Sequence, residues 1–183
     1  TGVLYGNSTI LRSTAGTLGV FPTTNNADLV FMDGYWFTSK SDCSIKNCSV
    51  DNPLIWDATK TITAQMYEGS GLGLARQNNY MFMFGTKSIQ GFFNNANSSG
   101  SPLNNVEPSV QQIGAIAASS IAQDENTIFW VSNTKLGGFT IWKLEGTTGL
   151  KDVGIPALDR IMALEGTSLS SCTGQMLRAG GKL

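Results

Sequence analysis

One pattern recurs along the chain and constrains its fold more than any other: two short apolar runs joined by a tight polar turn. The clearest copy is NNYMFMFGTKSIQGFF, where apolar residues alternate on either side of a Gly85-Thr86 break. Alternation around a turn predicts a β hairpin. Comparable segments precede and follow it, so we predict hairpins at 34–50, 78–94 and 126–145.

The spacing of these hairpins indicates a repeat. Their first strands start near Tyr35, Tyr80 and Ile128, which are 45 and 48 residues apart. Antiparallel hairpins at a period of 40–50 residues are typical of β-propeller blades. We therefore predict an all-β, β-propeller-like fold with antiparallel blades at about a 45-residue period. Three blades do not usually close a ring, so we expect an incomplete propeller or a fragment of a larger one.

The same period divides the chain into units of one β-propeller region, 1–183. Blade-like repeats are predicted at about 27–68, 69–112 and 113–153, with partial units at 1–26 and 154–183. The partial unit at the start includes VLYGNSTILRSTAG, which we interpret as strands of an earlier blade.

The segments between the hairpins complete this organisation. GLGLARQ, within 69–77, predicts a short inner strand. The small apolar run at 113–123 predicts another, because small side chains suit a strand beside a central channel; a buried helix is the alternative, which Gly114 disfavours. The Asn-, Ser- and Gly-rich connector at 94–112 predicts a long surface loop, and the apolar spacing at 156–164 predicts a short helix.

Histidine is absent from the chain, which restricts its chemistry. A Ser-His-Asp or Cys-His triad within this chain is excluded, as is every zinc site that contains histidine. The three cysteines are Cys43, Cys48 and Cys172, and their spacing does not make a zinc set. Cys43 and Cys48 could form a disulfide across a hairpin, but two reduced thiols are the favoured interpretation.

Charge is also scarce. Charged residues make up 14% of the chain, against about 25% in ordinary domains, and the net charge is −1. The surface must therefore consist largely of Asn, Ser, Thr and Gly. A nearly neutral polar surface resists association only weakly, so it is compatible with a place inside an assembly.

Neither catalysis nor nucleic-acid recognition has a clear set of residues. The arginines needed to hold a sialidase substrate are scattered among different units, and most aspartates lie in predicted turns. A paired-carboxylate glycosidase is harder to exclude. The basic residues are dispersed, and no apolar run is long enough for a membrane helix. We expect no enzyme activity, cofactor, metal, membrane partner or sequence-specific nucleic-acid partner.

SVDNPLIW, at 49–56, is similar to the Asp-box turn of sialidase-type propellers, S-x-D-x-G-x-x-W, with Pro53 in place of the glycine. Ser49 and Asp51 are expected to accept hydrogen bonds from backbone N–H groups of the turn, and Trp56 to pack beneath it. This motif is structural, so it supports a propeller without indicating an active site.

The order of these motifs resembles the packaged-DNA stabilisation proteins of short-tailed phages, also called tail-hub or tail accessory factors. The resemblance covers about residues 27–165. Five motifs carry it, in this order along the chain. They are a glycine-aromatic strand at Gly34–Phe37, a serine loop ending in Trp at Ser49–Trp56, an FG hairpin at Phe82–Phe93, an IG segment at Ile113-Gly114 and a strand ending in IFW at Ser120–Trp130.

This resemblance implies a structural virion protein of a phage tail hub or head–tail connector, assembled in the host cytoplasm. Such proteins form a homo-oligomeric ring, with sixfold symmetry implied here, and they contact the portal and other tail proteins. They close the portal and retain packaged DNA. Family members are longer, so the chain is expected to be an internal piece. The alternative function is a carbohydrate-binding or glycan-cleaving β-propeller, either receptor-binding or sialidase-like.

The longest connector, NNANSSGSPLNNVEP, is the predicted contact surface. Its Asn and Ser side chains offer adaptable hydrogen bonds, and its prolines limit the entropy lost on ordering. Leu103 and Val106 are apolar residues without an explanation on an exposed loop. We therefore predict Asn97, Leu103 and Val106 at a subunit interface, with a plain solvent-exposed loop as the alternative.

Overall fold

The computed structural model describes residues 21–65, 69–107, 109–124, 126–133 and 138–177. Within these ranges the chain forms three four-stranded antiparallel sheets, and the strands follow one another in chain order within each sheet. Across the described residues these sheets do not close into a ring. The predicted all-β, incomplete-propeller class is confirmed.

The first sheet contains β1 (Val30–Met32), β2 (Tyr35–Ser39), β3 (Ser44–Ser49) and β4 (Asn52–Thr63). The second contains β5 (Gly71–Gln77), β6 (Tyr80–Gly85), β7 (Ile89–Asn94) and β8 (Leu103–Asn105). The third contains β9 (Ala122–Asp124), β10 (Thr127–Asn133), β11 (Phe139–Glu145) and β12 (Gly149–Asp152). Helix α1 (Pro156–Glu165) follows, and 3₁₀ turns lie at Ala118–Ser120 and Gly166–Ser171.

The three predicted hairpins are β2–β3, β6–β7 and β10–β11, and all three are confirmed. The predicted helix is confirmed as α1, which begins with Pro156 at its first turn, where a missing N–H costs nothing. The strands predicted from VLYGNSTILRSTAG lie outside the described residues. The boundaries of the repeats stay a prediction.

The second sheet is buried on both faces. Along β6, Met81 and Met83 pack into one core with the first sheet, while Phe82 and Phe84 pack into another core with the third. All four side chains are fully buried. Burying one such side chain stabilises a fold by roughly 1.5–3 kcal/mol, so this strand contributes to both cores at once. A strand covered on both faces explains why its sequence is a continuous apolar run.

The segment 113–123 differs from its prediction as a single inner strand. Most of it is irregular, and only β9 is strand. The backbone N–H of Ala115 donates to Gly85 O, and that of Ile116 donates to Val131 O, each at 2.9 Å. Because these hydrogen bonds go to two different sheets, the segment cannot pair continuously with one neighbouring strand. Its small residues instead allow its backbone to lie close to the β6–β7 turn. A Cβ on Gly114 would lie 2.2 Å from the Thr86 carbonyl carbon.

The connector at 94–112 also differs from the predicted surface loop. It contains β8, which pairs with β7 and completes the second sheet. Farther on, Gln111 forms an isolated bridge with Ile89. The stretch between the two strands, 95–102, remains a loop on the outer side of the sheet.

The outer strand of the first sheet is strongly bulged. β3 pairs with β4 at Lys46↔Thr61, then at Cys48↔Trp56 and Ser49↔Asn52, so β4 carries several extra residues at two places. Within one of them the Asp57 carboxylate accepts from the Thr59 backbone N–H at 2.8 Å. Such bulges bend a strand away from a flat edge.

Candidate functional site

The hairpin turns that follow β1 and β5 bring polar residues together at one end of the sheets. Asp33 and Gly34 both have positive φ, 51° and 83°, as a two-residue type I′ turn requires. Asn78 has a φ of 52° in the equivalent turn after β5. Asp, Asn and Gly are the residues that tolerate this left-handed conformation, which explains Asp33, Gly34 and Asn78 at these positions.

Two neighbouring cavities open at this end, and Asn79 lines both. The first, which we call the inner pocket, has a volume of about 860 Å³. Its lining is polar: Arg76, Asn78, Asn79, Gln123 and Asp124.

Arg76 occupies the inner pocket as a structural tie. Its Nη1 donates to Phe31 O at 2.9 Å, and its Nε donates to Asn78 O at 2.8 Å. The Arg76 backbone N–H donates to Gln123 Oε1 at 2.7 Å. One residue at the end of β5 therefore connects all three sheets, since Phe31 lies in β1 and Gln123 in β9.

The next residue, Gln77, makes a second tie on the opposite face of β5. It is 1% exposed, and its Nε2 donates to Asn126 O and Leu144 O in the third sheet. Arg76 and Gln77 thus fasten the second sheet to its two neighbours from adjacent positions.

The second cavity, which we call the rim pocket, has a volume of about 480 Å³. Side chains from the β1–β2 turn, the β5–β6 turn, β6, β7 and the end of β8 line it: Asp33, Asn79, Tyr80, Phe93, Asn94, Asn105, Val106 and Glu107. Tyr80 and Phe93 are direct register partners across β6 and β7. Asn94 Nδ2 donates to Asp33 Oδ2 at 3.0 Å, which fixes the turn of the first sheet against the second.

The polar side chains of the rim pocket are three asparagines and Tyr80, which can donate and accept hydrogen bonds, and two carboxylates, which accept them. Asp33 and Glu107 are exposed carboxylates, and no Lys or Arg lines the pocket in the part of the chain that the structure describes. Asn105 Oδ1 is buried and has no donor among those same residues. The pocket can therefore receive donors, while its charge disfavours anions.

The predicted interface residues occupy three different settings. Leu103 is 1% exposed and packs in the core between the first and second sheets, so its expected exposure is wrong. It is buried because it opens β8. Asn97 is half-buried and holds the loop closed, since its Nδ2 donates to Ser101 O, Leu103 O and Asn104 Oδ1. Val106 is half-buried and lines the rim pocket.

The turn similar to an Asp box uses different atoms from those expected. Ser49 Oγ accepts from Lys60 Nζ at 2.9 Å, and Asp51 contributes its backbone N–H to Gly34 O. The side chain that accepts a backbone N–H here is Asn52, from Leu54. Trp56 is buried against Phe21 and Cys48, and its Nε1 donates to Pro53 O.

The three cysteines are free thiols. Cys43 and Cys48 lie in different cores, and burial raises the pKa of both. Burial also raises the pKa of Cys172. These protonated thiols have the environment of packing residues rather than of nucleophiles.

The aspartates with shifted pKa values accept local hydrogen bonds, Asp42 in the β2–β3 turn and Asp57 in a bulge of β4. The pKa of Asp42 is lowered chiefly by hydrogen bonds from the Ser44 hydroxyl and backbone N–H, and that of Asp57 by the corresponding bonds from Thr59. Among the residues described, no group of three or more His, Cys, Asp or Glu side chains could hold a metal ion. In those ranges, too, the helices are all too short or too polar to span a membrane.

Sequence reasoning missed the rim pocket because its residues come from four separated stretches. The sequence showed only that two turns, Asp-Gly and Asn-Asn, contribute polar residues. Their convergence depends on how the sheets pack, which alternation within one strand does not reveal.

Comparison with protein-family models gives a match over residues 5–177, to a model described as bacteriophage P22 Gp10, beta-propeller. The match includes all twelve strands described above. A search of curated proteins found no match.

Proposed function

This chain belongs to the phage-stabilisation family of bacteriophage P22 Gp10, and from that premise we propose that it forms part of a tail hub or head–tail connector that closes the portal and retains packaged DNA. It is a bacteriophage structural protein and a component of the virion. The tail position and the role in DNA retention are the proposed part.

The observation that carries this proposal, beside family membership, is the way the sheets are locked together. The second sheet shares a core with each neighbour, and Arg76 and Gln77 fasten it to both. A closure that withstands the pressure of packaged DNA needs a body that does not open between its layers. Two continuous cores, the buried tie of Gln77 and the more exposed tie of Arg76 supply such a body.

We place the contacts with neighbouring proteins on the loops at the strand ends. The central strands use their backbone groups within their own sheets, so copies of the chain meet through connectors. In this proposal the chain contributes to a sixfold homo-oligomeric ring that contacts the portal and other tail proteins. Asn97 and Val106 remain the predicted contact positions, and Leu103 supports them from the core.

The proposed role does not include catalysis. The absence of histidine supports this, as does the engagement of several aspartates in local hydrogen bonds. Asp28, for example, accepts from the Thr38 hydroxyl, the Ser39 backbone N–H and the Ser39 hydroxyl. A carboxylate held in this way positions a strand end.

The role in DNA retention is tested by a stop codon in the gene of the phage that encodes this protein. We expect particles that package DNA and then lose it, so that the DNA becomes sensitive to added nuclease. Supplying the intact gene on a plasmid should restore nuclease resistance. Mutant particles with stable, protected DNA would contradict the proposal, as would heads that never package DNA.

The contact surface is tested by Val106→Asp in the full-length protein. A charge at an apolar contact should reduce incorporation into particles, measured by quantitative mass spectrometry of purified virions. Val50→Asp is the matched control, because Val50 is 54% exposed on a different turn. Equal incorporation of both variants, with both folded, would reject Val106 as a contact.

A further inference from the structure

The rim pocket has the size of a small-molecule site. Its volume of about 480 Å³ lies within the range of roughly 300–1,000 Å³ that is usual for ligand pockets. Its walls come from the first and second sheets, and the Asn94–Asp33 hydrogen bond joins them. The site is therefore formed before any ligand arrives.

Two aromatic side chains and Val106 make up its apolar part. Tyr80 and Phe93 are register partners on β6 and β7 and are both half-buried, so part of each side chain remains accessible. The face of an aromatic ring carries partial negative charge. It attracts the weakly positive C–H groups that cover one face of a pyranose ring.

The polar part includes acceptors at several places around the cavity, beside the amide and hydroxyl groups of its asparagines and Tyr80, which can both donate and accept. The carboxylates of Asp33 and Glu107 lie on different elements, and Asn105 Oδ1 lacks a donor within the described part of the chain. Hydroxyl groups distributed around a sugar ring can donate in several directions at once. With two carboxylates and no lining cation among the described residues, the pocket disfavours phosphates, uronic acids and sialic acids.

A basic side chain from a partner protein is the competing occupant, because a guanidinium also suits carboxylates and aromatic faces. It presents its donors in one plane from a single centre. The acceptors here lie on the β1–β2 turn, on β8 and beyond its end, around a cavity wider than one side chain. This distribution favours a ring with peripheral hydroxyls.

We propose that the rim pocket binds a neutral or amino-substituted hexose unit of a saccharide. The ring packs on Tyr80 and Phe93, and its hydroxyl or ammonium groups donate to Asp33, Asn105 and Glu107. This is a binding site and no bond is cleaved. It adds a ligand to the structural role and does not depend on it.

The test is saturation-transfer difference NMR on the 183-residue chain. The probes are D-glucose, D-galactose, D-mannose and D-glucosamine, with D-glucuronic acid and N-acetylneuraminic acid as anionic counterparts. At least one of the first four should give signals from its ring protons, and the two acids should give none. Phe93→Leu should weaken binding about tenfold, since a flat stacking face is lost. Phe31→Leu is the matched control, because Phe31 is 46% exposed outside the pocket.

A second pair of variants tests binding without changing a side chain that packs in a core. Glu107→Gln changes an exposed side chain and should weaken D-glucosamine more than the neutral hexoses, while Glu145→Gln, outside the pocket, should change neither. The proposal is overturned if no hexose binds at about 20 mM, a concentration that detects even weak sites. It is also overturned if binding persists unchanged in folded Phe93→Leu, or if an arginine-rich peptide binds the pocket and no hexose does.

Discussion

Leu103 shows, for a single residue, why a short edge strand cannot be recognised from the sequence. It stands in a polar run, SGSPLNNV, where nothing alternates. The structure places it in a core because the three residues of β8 pair with β7. Alternation needs more than three residues to be visible, so the burial of Leu103 was not predictable from its neighbours.

We predict that Leu103→Ala lowers the free energy of unfolding by about 2–5 kcal/mol, the usual cost of truncating a fully buried leucine. Val106→Ala, three residues later and only half-buried, should cost about 1 kcal/mol or less. Urea unfolding followed by circular dichroism measures both. Equal small losses would mean that Leu103 is not in the core.

The buried thiols make stability depend on pH in the alkaline range. Burial raises the pKa of Cys43 and Cys48, so the folded chain binds their protons more tightly than the unfolded chain. The contribution of the protonated thiols to stability is therefore complete below the ordinary thiol pKa, and it is lost as the pH rises toward their raised pKa values. We expect the free energy of unfolding to fall as the pH rises above the ordinary thiol pKa of about 8.5.

A Cys43→Ala, Cys48→Ala double variant is the control for this pH effect. It should be less stable at pH 7, because it loses buried volume, but its stability should fall less steeply over the alkaline range. Identical slopes for the two proteins, measured by urea unfolding at several pH values, would assign the effect to other groups.

At the scale of elements, the sequence was most informative where strands were long. The alternation in β2, β6 and β10 predicted the hairpins, and the helical spacing predicted α1. It was misleading at 113–121, where small apolar residues suggested a strand. There the small side chains allow a loop to pack closely against the β6–β7 turn. An inner strand beside a central channel would also need small side chains, so the sequence alone does not separate the two structures.

Gly114 tests that explanation. A Cβ at this position would lie within 2.4 Å of three backbone atoms of Thr86 and Lys87, so Gly114→Ala must shift one segment. We predict a loss of about 1–3 kcal/mol in unfolding free energy. Gly73→Ala is the matched control, because its nearest contact would be an ordinary 3.7 Å. Comparable thermal midpoints for the two variants would show that the segment is not tightly packed.

For the molecule as a whole, the shared middle sheet predicts cooperative unfolding. The four tryptophans are divided between the outer sheets: Trp36 and Trp56 in the first, Trp130 and Trp142 in the third. A variant with both tryptophans of one sheet replaced by Phe therefore reports on the other sheet by fluorescence. Because each outer sheet loses a core when the second sheet unfolds, we expect fluorescence and circular dichroism to give the same midpoint within each variant.

Separate midpoints in either variant would contradict this expectation and would show that the outer sheet unfolds alone. The hydrogen bonds of Arg76 and Gln77 would then be too weak to couple the sheets. Comparing the two signals within one protein removes the direct effect of the substitutions on stability.

The outer strands have a consequence for how the protein behaves at high concentration. A long, flat strand edge recruits copies of itself through free N–H and C=O groups and starts fibrils. Here β8 has three residues, β12 has four, and β4 is interrupted by bulges. None of these edges presents a continuous template. We therefore expect crowded copies of the protein not to polymerise through β4, β8 or β12, which leaves association on this side of the sheets to side chains and loops.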